Sequence, residues 1–204
     1  MYFSFLENYI IAPKFYEEKE ARAIGRTHHF FYALPEYQIQ EAINTFRPFP
    51  EELKTLYCEI GFGFMHRAKS GKFNFLFDPM TLIYTNNQIN YFATPETIAE
   101  LQYYDVEKQL LFFKSDSNSY LAIDRCTVHG KNKIYYQGIT VDDSLHDFMK
   151  HLDYNSFYLS QFIEIISYEQ EKKVKKQEKV MRKEEEKQRE KVKYLGGHRL
   201  LDKD

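Results

Sequence analysis

The residues able to do chemistry are few and poorly spaced for it. His28 and His29 are adjacent, His66 stands apart, and His146 and His151 are five apart, off a common helix face. A zinc-binding histidine pair on a helix needs i, i+4 spacing, and no cysteine or carboxylate cluster completes a site. Cys58 and Cys126 are far apart among apolar neighbours, with no CxxC pair, and read as reduced, buried thiols. Gly61-Phe62-Gly63 lacks the remaining glycines and the Lys-Ser/Thr of a phosphate cradle, and Gly71-Lys72 lacks everything upstream of it. No Gly-x-Ser-x-Gly occurs, and neither cysteine has a histidine beside it in sequence. Asp142, Asp143 and Asp147 resemble paired acids, but Asp142, Asp143 or Ser144 serves better as the cap of a helix whose N-terminus favours negative charge. The pattern predicts no catalytic residue, no cofactor and no metal, so function has to be argued from binding surfaces.

The elements that would present a binding surface are clearer. Pro35 opens a helix in which Ile39, Ala42, Ile43 and Phe46 recur at i, i+3, i+4, i+7, and Pro48 ends it. Pro50 opens the next, with Glu51 and Glu52 in the first turn, a stripe of Leu53, Leu56, Tyr57 and Ile60, and a stop at Gly61. The period then changes. Phe73, Phe75 and Phe77 alternate as a half-buried strand would, and Leu82-Ile83-Tyr84 reads as a second strand before turn residues Asn86-Asn87. Thr94-Pro95-Glu96-Thr97 signals a short helix through Leu101. Leu110–Phe113 and Tyr120–Ile123 read as strands joined by a Ser115–Asn118 turn, and His129–Asn132 as a turn before Lys133–Tyr136. Two helical stripes close the body: Leu145, Phe148, Met149, Leu152, then Leu159, Phe162, Ile163, Ile166. Helices, a strand-rich middle and helices again predict an α+β fold with a mainly antiparallel central sheet.

Hydrophobic residues make up 43% of the 204, including 18 Phe and 17 Tyr but no Trp, which is enough for an ordinary core. The formal net charge of -2 is unevenly spread. Residues 1–168 carry 15 Lys+Arg against 21 Asp+Glu, a net of -6, and residues 169–193 carry 11 against 7, a net of +4. An acidic body favours a basic partner and disfavours nucleic acid. Residues 169–193 hold acid-first i, i+4 pairs (Glu171–Lys175, Glu178–Arg182, Glu185–Arg189) with too few apolar positions for a heptad seam. A solvent-exposed helix of about 38 Å is expected there, ending at Gly196-Gly197. Residues 1–33, with Phe3, Leu6, Tyr9 and Ile10 on one helical face, read as an extension packed on the body. The N-terminus lacks a basic n-region and a membrane-length apolar run, so a cytoplasmic protein without a membrane span is expected.

The order of these motifs resembles the SUKH superfamily, which includes immunity proteins against bacterial polymorphic toxins and regulators of fungal cell-wall synthesis. The resemblance covers about residues 34–152. It rests on Leu34-Pro35-Glu36, Phe49-Pro50-Glu51-Glu52-Leu53-Lys54-Thr55-Leu56-Tyr57, the Gly61/Gly63 exit and Thr94-Pro95-Glu96-Thr97-Ile98. It continues through Leu111–Asp116, Tyr120–Asp124, Ile134-Tyr135-Tyr136 and Ser144-Leu145-His146-Asp147-Phe148. The tryptophan often found near the family's last strand is absent, with Tyr136-Gln137 in its place. The chain as a whole is read as a SUKH-like domain over 34–168 flanked by the 1–33 extension and a charged tail, 169–204. The resemblance implies an immunity-type protein that neutralises a toxin domain by direct contact, a basic nuclease being one partner that suits the acidic body. A regulatory scaffold of the same fold, acting through its charged C-terminal helix, is the alternative. Loop and strand-end acids Asp78, Asp116 and Asp124, with aromatic anchors Tyr103, Tyr104 and Tyr120, are the expected contacts.

Overall fold

The computed structural model describes residues 1–11, 29–66, 73–92, 102–155 and 157–198. The chain divides into two compact units, Met1–Ser160 and Gln161–Asp204. The first is an α+β domain. A 3-10 turn (Ser4–Tyr9) leads into β1 (Ile10–Ile11), and β2 (His29–Tyr32) precedes α1 (Glu36–Thr45) and α2 (Glu51–Glu59). Strands β3 (Phe62–Met65) and β4 (Asn74–Leu76) follow, then α3 (Pro79–Phe92). The strands β5 (Gln109–Lys114), β6 (Tyr120–Asp124), β7 (Ile134–Tyr136) and β8 (Ile139–Asp142) lead to α4 (Leu145–Tyr154). The eight strands lie side by side in chain order; β1 and β2 are parallel and every later pair is antiparallel. In the second unit, α5 (Tyr158–His198), which starts in the first, runs on through Gly196 and Gly197.

Strand periodicity gives the sheet two different faces. Phe31, Gly63, Leu76, Phe113 and Leu121 are successive cross-strand partners, and all are buried. A β-bulge between Leu111 and Phe113 turns Phe112 inward as well. Both phenylalanines meet Phe148 of α4, with ring centroids 6.2 and 5.4 Å away. The apolar stripes of α2 (Leu53, Leu56, Tyr57) and α4 (Leu145, Phe148, Met149, Leu152) are buried with them. Gly63 has no substitute here: a Cβ would stand 2.2 Å from the Phe30 carbonyl oxygen, against backbone that cannot yield.

Glu52 is buried, although it reads in sequence only as a first-turn acid of α2. Its Oε2 accepts the backbone N–H groups of Asn132 (2.6 Å) and Leu145 (3.0 Å). Its Oε1 accepts from His146 N–H (3.3 Å) and the Tyr2 hydroxyl (3.1 Å). Glu59, two turns on, takes the Tyr2 and Phe3 N–H groups at 2.8 Å each, so α2 fixes the start of the chain. At α4 the capping residue is Ser144, whose Oγ accepts Asp147 N–H at 3.0 Å.

The structure corrects three local expectations. Leu82-Ile83-Tyr84 is not a strand but the middle of α3, because Asp78 caps that helix: its Oδ1 accepts the N–H groups of Met80 and Thr81, with Pro79 in the first turn. Asn86 is not a turn residue. It sits on α3 and exchanges two 2.9 Å hydrogen bonds with the Leu111 backbone, standing in for a strand partner. Cys58 and Cys126 are free thiols but exposed, not buried; Cys58 follows the buried Tyr57 but points away from the core stripe of α2. The helix expected from Thr94, the Glu17–Glu20 run and His28 lie outside the described residues.

Replacing Glu52 by Gln turns one carboxylate oxygen into an amide donor that faces two of the four donors. The variant is expected to lose about 3 kcal/mol of stability, read as a fall of about 1.5 M in the urea midpoint. An unchanged midpoint would show that the carboxylate does not hold these segments together. Asp147 gives a pH-dependent counterpart. Its carboxyl is held down at about 2, chiefly by the Ser144 hydroxyl, and also by His146 and Lys131. A carboxyl depressed in the folded state stabilises fully above its unfolded value and loses that contribution as pH falls toward about 2. Asp147→Asn should therefore be less stable than wild type above about pH 5 and equal to it near pH 2. Urea titrations across that range would expose a pH-independent difference if the carboxylate is not responsible.

Candidate functional site

The face of the sheet opposite Phe31, Leu76 and Phe113 carries a row of Phe30, Phe64, Phe75, Lys114 and Tyr120, partners across five strands. Each is half-buried. Cross-strand neighbours stand close enough for aromatic side chains to pack ring on ring. Phe30 and Phe64 have centroids 4.9 Å apart, and Phe64 and Phe75 stack at 4.8 Å with 22° between their planes. Phe73 meets Phe64 edge-on at 4.7 Å, and Phe77 joins Phe75 (5.5 Å) to Tyr120 (6.3 Å).

With Thr81, Tyr84 and Thr85 of α3 and the 115–118 turn, all of these rings but Phe30 line a groove of about 730 Å³. The volume falls within the range of small-ligand and side-chain pockets. The Lys114 ammonium lies 5.5 Å from the centroid of the Tyr120 ring. The turn is fixed from within and below. Ser115 N–H bonds the Ser119 carbonyl (2.8 Å), Ser119 N–H bonds Ser115 Oγ (3.0 Å), and Asn118 takes a left-handed φ of 66°. The buried Asn74 on β4 accepts Asp116 N–H at 3.1 Å, placing that carboxylate on the groove wall.

Two of the six residues expected as contacts, Asp116 and Tyr120, meet in this groove. Tyr104 stands behind it: it is buried, its hydroxyl donates to the Tyr120 carbonyl (2.5 Å), and it accepts Gln137 N–H (3.0 Å). With Leu111 and Ala122 it forms a small core against which Tyr120 and Tyr135 pack. The other three stand apart. Asp78 caps α3, one turn below Thr81. Asp124 accepts the Tyr135 hydroxyl at 2.9 Å, and burial followed by that bond pushes the phenol up to about 12. Tyr103 is exposed outside the groove lining. Phe64, Phe73, Phe75, Phe77, Tyr84 and Lys114 were not among the expected contacts. The alternation of Phe73, Phe75 and Phe77 was the visible sign of an aromatic strand face; the strands bearing Phe30 and Phe64 gave no such sign.

Among the described residues no group of three or more His, Cys, Asp or Glu side chains is placed to hold a metal ion. No helix among them is long and apolar enough to cross a membrane.

The chain is 29% identical over 133 residues to the Immunity protein YxxD of Bacillus subtilis (strain 168), a stretch covering 63% of this chain and 86% of that protein. No family model matches the chain, and no solved structure matches it.

If Asn74 holds the turn, Asn74→Ala leaves Asp116 N–H without its acceptor. The expected result is a loss of about 1–2 kcal/mol and faster hydrogen exchange at the Asp116 amide, with the β2 and β3 amides unchanged. Unaltered exchange at Asp116 would mean that the turn holds itself.

Proposed function

We propose that this chain is an immunity-type protein that neutralises a polymorphic toxin by direct contact, acting in the cytoplasm with a SUKH-like domain as its binding body. The observation that carries the reading is the similarity to Immunity protein YxxD, which extends over most of that protein's length. The structure supports it by supplying a contact face: an aromatic groove with a charged wall, on a sheet whose other face is filled by core. Aromatic anchors in a concave, pre-formed surface are the usual source of binding energy between proteins. The -6 balance of residues 1–168 suits a basic toxin, a nuclease among them, by raising the rate of encounter. Binding alone is enough for this role, so no catalytic residue is assigned.

The test is calorimetry with a toxin domain encoded beside this gene, where its locus has one, using the full chain and a chain ending at Tyr168. Both are expected to bind tightly, with affinity falling as salt rises, because screening acts on the charged body. Replacing Phe75 with Ala should weaken binding by about 2 kcal/mol or more. Binding lost only on removal of 169–204 would transfer the role to the charged helix and favour a regulatory scaffold. No binding by either chain would remove the toxin pairing altogether.

A further inference from the structure

We infer that the aromatic groove receives a basic side chain, an arginine or lysine of the protein partner, seated between the ring faces and the Asp116 carboxylate. The inference rests on the immunity reading above and deepens it by naming the chemistry of the contact. Asp116 is half-buried on the groove wall, its backbone N–H is taken by Asn74, and among the described residues no hydrogen bond or ion pair reaches its carboxylate. The backbone that carries it is nonetheless held in place, because the Ser115–Ser119 turn is closed by its own hydrogen bonds.

Any occupant that covers the groove must therefore leave this charge buried or pair it. An apolar side chain would suit the rings but strand the carboxylate, which is costly. An anion would face both Asp116 and the negative faces of the aromatic rings. A cation satisfies both, since it pairs with the carboxylate and is drawn to the ring faces. The groove already shows this chemistry internally, for Lys114 rests its ammonium over Tyr120. Its long stem lets that ammonium swing toward solvent when a second cation enters. The less buried rings, Phe64, Phe73 and Phe75, are left to the incoming group.

The experiment titrates the full chain, with its phenylalanine rings isotopically labelled, with the capped pentapeptide Gly-Leu-Arg-Leu-Gly. A second titration uses the same peptide with citrulline, the neutral isostere of arginine. The arginine peptide is expected to shift the rings of Phe64, Phe73 and Phe75 saturably, and the citrulline peptide to bind about tenfold more weakly. Asp116→Asn, confirmed as folded by an unchanged urea midpoint, should bring the arginine peptide down to the citrulline level. Equal binding of the two peptides, no binding of the arginine peptide, or an indifferent Asp116→Asn variant would each overturn the inference. Binding of a glutamate peptide in preference would overturn it too, assigning the groove to Lys114. The toxin domain separates the two claims. If it binds wild type and Asp116→Asn equally, the immunity role stands and the cation site falls; if it binds neither, the immunity role falls and the peptides still decide the site.

Discussion

Four parts of the first unit meet at the carboxylate of Glu52: the hydroxyl of Tyr2, the Asn132 turn before β7, the first N–H groups of α4, and α2 itself. The N-terminus of a helix has backbone N–H groups with no partner of their own, and a buried helix start must find acceptors for them. For α4 the acceptor comes from 93 residues earlier in the chain. The exchange is reciprocal at Asn132, whose side-chain oxygen accepts Glu52 N–H at 3.1 Å, so the starts of two helices are tied through one turn. Everything that α4 covers, the bulged Phe112 and Phe113 pair included, depends on that tie. Arg125 does comparable work on the adjoining loops by donating to the carbonyls of Arg47, Pro48 and Glu107.

Because α2 and α4 bury their apolar stripes with one face of the sheet, the aromatic row of the other face is left to line the groove with α3. The same strand that sends Leu76 into the core sends Phe75 outward, and the same register that fixes Phe31 against Gly63 fixes Phe30 against Phe64. A slip of one residue would exchange the two faces, so the core specifies the groove as firmly as it specifies itself. The rings of the outer face consequently need little ordering when a partner arrives, which lowers the entropic cost of binding.

The parts of this arrangement that were legible in the sequence are those with local signals. Pro35 and Pro50 with acids behind them, the Leu145–Leu152 stripe and the Ser115–Asn118 turn each encode their element within a few residues, and the structure has all of them. The strand reading of Leu82-Ile83-Tyr84 followed short-range apolar composition and missed Asp78-Pro79, a helix start as explicit as the others. Strands β2 and β3 carry four residues each and owe their mutual pairing to segments far apart in the chain, which no window of sequence displays. Glu52 was read for its helix position when its partners lie at residues 2, 132, 145 and 146. The candidate site divides the same way. Asp116 and Tyr120 flank a recognisable turn, whereas Phe30 and Phe64 join them only through register across the sheet.

The two charge distributions of the chain suit different tasks. In the 169–193 stretch Lys and Glu interleave, and pairs of exposed charges contribute little to stability or to choice of partner. In the groove a single carboxylate lies among aromatic rings that partly exclude water, where each charge is screened less and its pairing matters more. Specificity depends on the difference between a right and a wrong occupant, and an unpaired buried charge is an effective penalty on the wrong one. An acidic surface can attract many basic proteins, but the proposed site, with Asp116 on the wall of a row of rings, would reward only a cation delivered to one place. On the proposed reading, the long-range charge would govern how fast partners arrive, and the groove which of them stay.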